Sequence, residues 1–200
     1  MRVEIALPLK KSLDYYLKKI EEVNGINFFI CETHDVYYTD KDLNGMAEEE
    51  MKNSCVRFRY VEAIGGIRYN ENETRKSWIE NYCVYDEKHE NRFFCELENF
   101  RVYEEELLKN GFKKVFDTKK KDYQFRIGDM KSMIQLQVIE DIGLILYYDN
   151  PDYYGLDKDI QRNKLIEEIE SYGIDFFIND DVDKLRSLYY KKIIYKGDTV

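Results

Sequence analysis

The sequence predicts an α+β protein: a barrel-like sheet carrying charge on one side, with helices packed outside it. Three observations lead there. From Arg92 to Asp149 the chain reads as strand, helix and a run of strands. Two-residue alternation of apolar and polar side chains recurs in both halves, the mark of half-buried strands. Eighteen tyrosines and eleven phenylalanines supply rings that pack well on a pleated surface.

In chain order, Val3, Ile5 and Leu7 alternate with Glu4, Ala6 and Pro8 in a first strand whose second face begins with a carboxylate. Pro8 ends this strand or lies at its edge, because it cannot donate to a ladder. Residues Leu9 to Val23 set Leu9, Leu13, Leu17 and Ile20 along one helical stripe, and Gly25 supplies the stop. Ile26 to Thr39 is too β-branched and aromatic for a helix and reads as a long strand; Asp40 to Asn53 is a polar loop. From Ser54 to Val61, Val56, Phe58 and Tyr60 face one way and Cys55, Arg57 and Arg59 the other. Two arginines on one strand face need an anion, a pair of carboxylates or water.

Gly65 to Lys76 is a turn-rich connection, and Ser77 to Tyr85 is a strand around Trp78. Arg92 to Glu98 alternates again, with Phe93, Cys95 and Leu97 on its apolar face. A short helix follows, with Val102, Leu107 and Leu108 as its apolar positions and Gly111 where a left-handed residue would end it. Asp117, Lys119, Lys121 and Tyr123 then share one face of a strand, Ile134, Leu136 and Val138 line the next, and Leu144, Leu146 and Tyr148 a third. Amphipathic helices over 157–172 and 181–192 complete the chain as a lid or outer layer.

Composition bounds the functional classes. With 200 residues, 44% hydrophobic, and only two prolines, the chain is expected to form a single domain over residues 1–200. A net charge of −9 argues against nonspecific nucleic-acid binding, although basic residues gathered in a cavity would still hold a small anion. Met1 to Pro8 lacks the apolar core of a signal peptide, and no apolar run approaches a membrane span, so a soluble cytoplasmic protein without a membrane partner is expected. Cys31, Cys55, Cys83 and Cys95 are widely spaced, include no CxxC pair, and read as reduced core residues; His34 and His89 form no local metal motif.

Several of these segments resemble the CYTH superfamily, the triphosphate tunnel proteins that include class IV adenylyl cyclases, thiamine triphosphatases and inorganic triphosphatases. The resemblance rests on Val3-Glu4-Ile5-Ala6-Leu7-Pro8, His34-Asp35-Val36-Tyr37-Tyr38, Val56-Arg57-Phe58-Arg59, Asn110-Gly111-Phe112, Lys119-Lys120-Lys121 and the turn from Gln137 to Gly143. It implies an antiparallel barrel of about eight strands around a polar tunnel, with helices outside. It also implies a phosphate clamp of Arg57, Arg59, Arg92, Lys119 and Lys121, because guanidinium and ammonium groups donate to phosphate oxygens and neutralise their charge.

Carboxylates in such a tunnel hold Mg²⁺ or Mn²⁺. Here the resemblance leaves Glu4, Glu96 and Asp149 as metal ligands, while Ala6, Phe94, Gln137 and Tyr147 stand where the superfamily has acidic residues. The expectation is a tunnel protein that binds a nucleoside, thiamine or inorganic triphosphate, with hydrolase or cyclase activity weak, altered or lost. The alternatives are an active metal-dependent triphosphatase or class IV adenylyl cyclase, and a non-catalytic protein-interaction module. A purely structural account pairs Arg57 and Arg59 with Glu4 and Glu96 and leaves the three-lysine run solvated.

Overall fold

A computed structural model describes residues 4–46, 50, 54–65, 80–86, 91–95, 97–140 and 142–175, with backbone alone for 63, 80–86, 91–95 and 97. Eight strands form one sheet: β1 (Ile5–Pro8), β2 (Ile26–Thr39), β3 (Val56–Gly65), β4 (Glu80–Asp86), β5 (Asn91–Cys95), β6 (Lys113–Arg126), β7 (Ile134–Ile139) and β8 (Gly143–Tyr148). Their order is β1-β8-β7-β6-β2-β3-β4-β5, and β1–β8, β3–β4, β4–β5 and β7–β8 pair antiparallel. Among the described residues, the sheet is accompanied by helices α1 (Leu13–Glu22), α2 (Leu97–Lys109) and α3 (Lys158–Ser171). The class is therefore α+β on an antiparallel sheet, and no helix among the described residues is long and apolar enough to cross a membrane.

The chain divides into two compact units. The first draws on the described parts of Met1–Cys31, Ile64–Asn70 and Lys121–Val182, the second on those of Glu32–Ala63, Glu71–Lys120 and Asp183–Val200. In the first, the register Ile5↔Tyr148, Leu7↔Leu146 and Leu136↔Leu146 aligns apolar side chains on one face of β1, β8 and β7. Tyr16 and Ile20 of α1 and Leu165 and Ile169 of α3 join them in one buried cluster. Each such side chain withdrawn from water contributes about 1.5–3 kcal/mol. The opposite face carries Ala6, Gln135 and Tyr147, which the register sets in a row across β1, β8 and β7.

In the second unit, Phe58 on β3 is buried between Tyr38 of β2 and Phe100 of α2, edge-on to both rings at 5.4 and 4.9 Å. Leu107 and Phe112 pack against the same pair. Tyr38 Oη also donates to the Glu104 carboxylate, so Phe100, Glu104 and Leu107 all lie on the face of α2 turned to the sheet. Val102 and Leu108, expected as inward positions, are half-exposed instead; the true stripe runs i, i+4, i+7 from Phe100.

Other boundaries also differ from the sequence reading. Helix α1 begins at Leu13 and not at Leu9, because the Leu9 amide donates to Leu144 O at 3.0 Å, prolonging the pairing of β1, and Ser12 caps the helix through Tyr15 N. Its left-handed stop is Asn24, φ +55°, while the Gly25 amide closes back on Ile20 O at 2.7 Å. Gly25 is needed for closeness: a Cβ there would stand 2.2 Å from Ile20 Cγ2. Leu97 and Glu98, read as the end of a strand, begin α2. The 157–172 helix agrees closely, with Asp157 as N-cap and Tyr172 as C-cap, whereas the 181–192 helix and Trp78 lie outside the described residues.

Candidate anion site

Alternation along β3 turns Phe58 into the aromatic cluster and Arg57 and Arg59 the other way. There they meet Asp35, which β2 carries between buried Thr33 and Tyr37 and which is 0% exposed. Arg59 forks onto this carboxylate, Nε donating to Oδ1 at 2.5 Å and Nη2 to Oδ2 at 2.6 Å. Lys120 Nζ, from β6, donates to Oδ2 at 2.9 Å. Arg57 is looser: Nη1 stands 3.9 Å from Oδ2, donates to Tyr37 Oη at 3.5 Å, and its guanidinium carbon lies 5.8 Å from the Tyr37 ring centre.

Three cationic side chains thus converge on one buried carboxylate within the second unit. Burial alone would push the Asp35 carboxyl up, but the Arg59 hydrogen bonds and the charges of Lys120, Arg59 and Arg57 hold it well below the usual carboxylate range. Burial pushes the Lys120 ammonium down, and Arg59 and Arg57 push the same way against the opposing pull of Asp35. Burial is the larger of the two lowering pressures, and an added anion would oppose the lowering. The side chains of Arg57, Arg59 and Lys120 keep 17%, 24% and 10% exposure, so they stand between the enclosed carboxylate and solvent. On the same face of β6 as Lys120 sits Thr118, 3% exposed, whose hydroxyl has no hydrogen-bond partner among the described residues.

The register of the lysine run differs from the sequence expectation. Lys120, the middle residue, reaches the arginines' carboxylate. Lys119 is exposed, and Lys121 lies beside Tyr123, its Nζ 5.8 Å from the ring centre. Both therefore alternate to the face of Asp117, which holds His34 Nε2 at 3.1 Å and Lys114 Nζ at 3.3 Å. Arg92 pairs with Tyr85 through the β4–β5 ladder, but its side chain is outside the described residues, as is the whole of Glu96.

Of the expected metal ligands, Glu4 is exposed and Asp149 accepts a hydrogen bond from Tyr154 Oη. Continuing the Ile5↔Tyr148 register by one step sets Glu4 opposite Asp149, on the face of Ala6 and Tyr147. No group of three or more His, Cys, Asp or Glu positioned for a metal occurs among the described residues. Glu96, the third of these expected ligands, lies outside the described residues. Asp35 and Lys120 are the residues that sequence reasoning passed over, although both stand inside the quoted motifs; their signal was the strand phase they share with Arg57 and Arg59.

No protein-family model matches the sequence, and no curated protein matches it. Solved structures do. The PH1819 protein of Pyrococcus horikoshii superposes with a TM-score of 0.58 at 18% identity, over 96% of this chain and 99% of that one. A candidate adenylate cyclase from Vibrio parahaemolyticus gives 0.52 at 12% identity, over 93% and 97%, and the PH1012 protein of Pyrococcus horikoshii 0.51 at 14%, over 90% and 94%. At these identities the likeness establishes the fold alone, one shared with a candidate adenylate cyclase.

Proposed function

We propose that the chain is a single CYTH-like tunnel domain over residues 1–200 that binds a triphosphate-containing anion, nucleoside, thiamine or inorganic, in the cytoplasm. The convergence of Arg57, Arg59 and Lys120 carries this reading. Guanidinium and ammonium donors held together, partly open to solvent, suit a phosphate chain because each oxygen accepts charge-assisted bonds from a different cation. The fold shared with a candidate adenylate cyclase supports the same ligand class. Arg92 completes the clamp from β5, and Lys119 and Lys121 contribute at most long-range attraction from the other face of β6.

Glu4, Asp149 and Glu96 are the residues that would hold Mg²⁺ or Mn²⁺, which would supply stabilisation of negative charge on the phosphates. With Ala6, Gln137 and Tyr147 in place of carboxylates, turnover is weak, altered or lost. The test is tripolyphosphate with a chelator present. The melting temperature should rise with the logarithm of free ligand above its Kd, and Arg57→Met should remove most of the rise, since Arg57 contributes least to the Asp35 ion pairs and its loss spares the fold. A wild-type protein that takes up no tripolyphosphate by calorimetry refutes the proposal.

A further inference from the structure

Asp35 occupies the donors that a phosphate group would use. It takes both Nε and Nη2 of Arg59 and one proton of Lys120, and it does so from full burial, behind cations that remain 10–24% exposed. An oxyanion arriving from solvent and the Asp35 carboxylate are like charges satisfied by the same three side chains. They are close enough that each lowers the cations' demand for the other. We propose that Asp35 is a specificity-determining residue: a built-in counter-anion that keeps the clamp folded when empty and limits its affinity, so that a single phosphate is held poorly and only a chain of phosphates reaching several cations binds well.

Asp35 takes the Nε/Nη2 edge of Arg59, one of the two edges of a guanidinium that make paired bonds to a carboxylate or phosphate, and so withdraws it from an entering anion. Lys120 and Arg57 are then the groups an entering anion meets beside Arg59, each less tightly bound to Asp35 than the Arg59 fork. The Thr118 hydroxyl, buried on the same face, supplies one further donor.

The inference rests on the triphosphate-binding reading, and the experiment separates the two. Inorganic phosphate and tripolyphosphate are titrated by calorimetry, with chelator, into wild type and Asp35→Asn. Removing the competing charge should tighten tripolyphosphate by about tenfold or more and bring inorganic phosphate into measurable range, because a like charge a few ångströms away repels an arriving anion strongly at the dielectric of a protein surface. Wild type that binds tripolyphosphate while Asp35→Asn binds it equally or less tightly overturns the inference and leaves the function standing. Neither protein binding either anion overturns both.

If Asp35→Asn does not fold, Lys120→Met is compared with Lys120→Met/Asp35→Asn, which removes one charge of each sign and so keeps the formal balance of the wild-type cluster. The double variant must bind tripolyphosphate more tightly than the single one. Equal or weaker binding refutes the role given to Asp35.

Discussion

Arg57 and Arg59 are two residues apart on one strand and equal in formal charge, yet replacing each by methionine should give very different losses of stability. Arg59 makes two short bonds to a carboxylate that has no exposure at all, whereas Arg57 stands 3.9 Å away and leans on Tyr37. Removing one partner from a buried pair leaves the other charge poorly compensated, which costs about 3–5 kcal/mol; in a chain of this size that lowers the melting temperature by roughly 6–20 °C. Arg57→Met leaves Asp35 with its Arg59 fork and Lys120 and should cost about 1 kcal/mol or less, roughly 2–4 °C. Both variants should lose tripolyphosphate affinity.

The acid response adds a sign that can be checked. Asp35 titrates below its ordinary value in the folded protein. Its contribution is thus complete above the unfolded pKa of about 3.9 and is lost as pH falls through the folded value. Denaturation followed near pH 7 and near pH 3, about one unit below that unfolded pKa, should show the gap between wild type and Arg59→Met narrowing in acid. Equal destabilisation by the two arginine variants, or a gap that widens as pH falls, refutes the account of Asp35 as the anchored charge.

Two further outcomes follow. Lys119→Ala and Lys121→Ala should change tripolyphosphate affinity by no more than about twofold at moderate salt, while Lys120→Met lowers it about tenfold or more, the worth of one charge-assisted bond; titration calorimetry decides, and equal losses at all three lysines would overturn the strand phase. Ala6→Glu with Tyr147→Glu sets two carboxylates directly opposite across β1 and β8, next to Glu4 and Asp149. Combined with Gln137→Asp, it should raise Mn²⁺ affinity measurably by calorimetry and lower the melting temperature in chelator, through mutual repulsion of unbridged carboxylates. No gain in Mn²⁺ binding would refute the metal assignment of that face.

What was legible in the sequence follows from how strongly each segment names its own geometry. The α3 boundaries were readable because Asp157 is a capping residue whose side chain accepts from Asp159 N and Ile160 N. Strand β7 was readable because Ile134, Leu136 and Val138 alternate with Gln135 and Gln137, and β8 because it is an apolar run that starts on Gly143, whose φ of +119° suits glycine. The start of α1 was not, since Leu9 fits the helical stripe equally well; what draws it into the sheet is a backbone bond to Leu144 that no local pattern announces. The α2 stripe was misread because Val102 and Leu108 are apolar although, six residues apart, they share no helical face, whereas Phe100 and Leu107 are spaced i, i+7 and turn inward to the cluster around Phe58.

The lysine run shows why fold and site were unequally legible. Three consecutive lysines carry no phase of their own, so the face each occupies must be set by the apolar residues flanking them. Those flanks disagree: Phe116 is buried with Tyr37 and Leu43, while Phe125 and Ile127 are buried with α1 and α3, and the odd spacing between Phe116 and Phe125 puts them on opposite faces of β6. A strand whose buried face changes along its length cannot be phased from one end. Asp35 breaks the tie: as a carboxylate with no exposure it requires cations, Arg59 supplies two bonds from β3, and only Lys120 among the three lysines lies on the face that can supply another. The buried charge therefore sets which lysine joins the arginines, and that lysine lies between the two that the motif match selects.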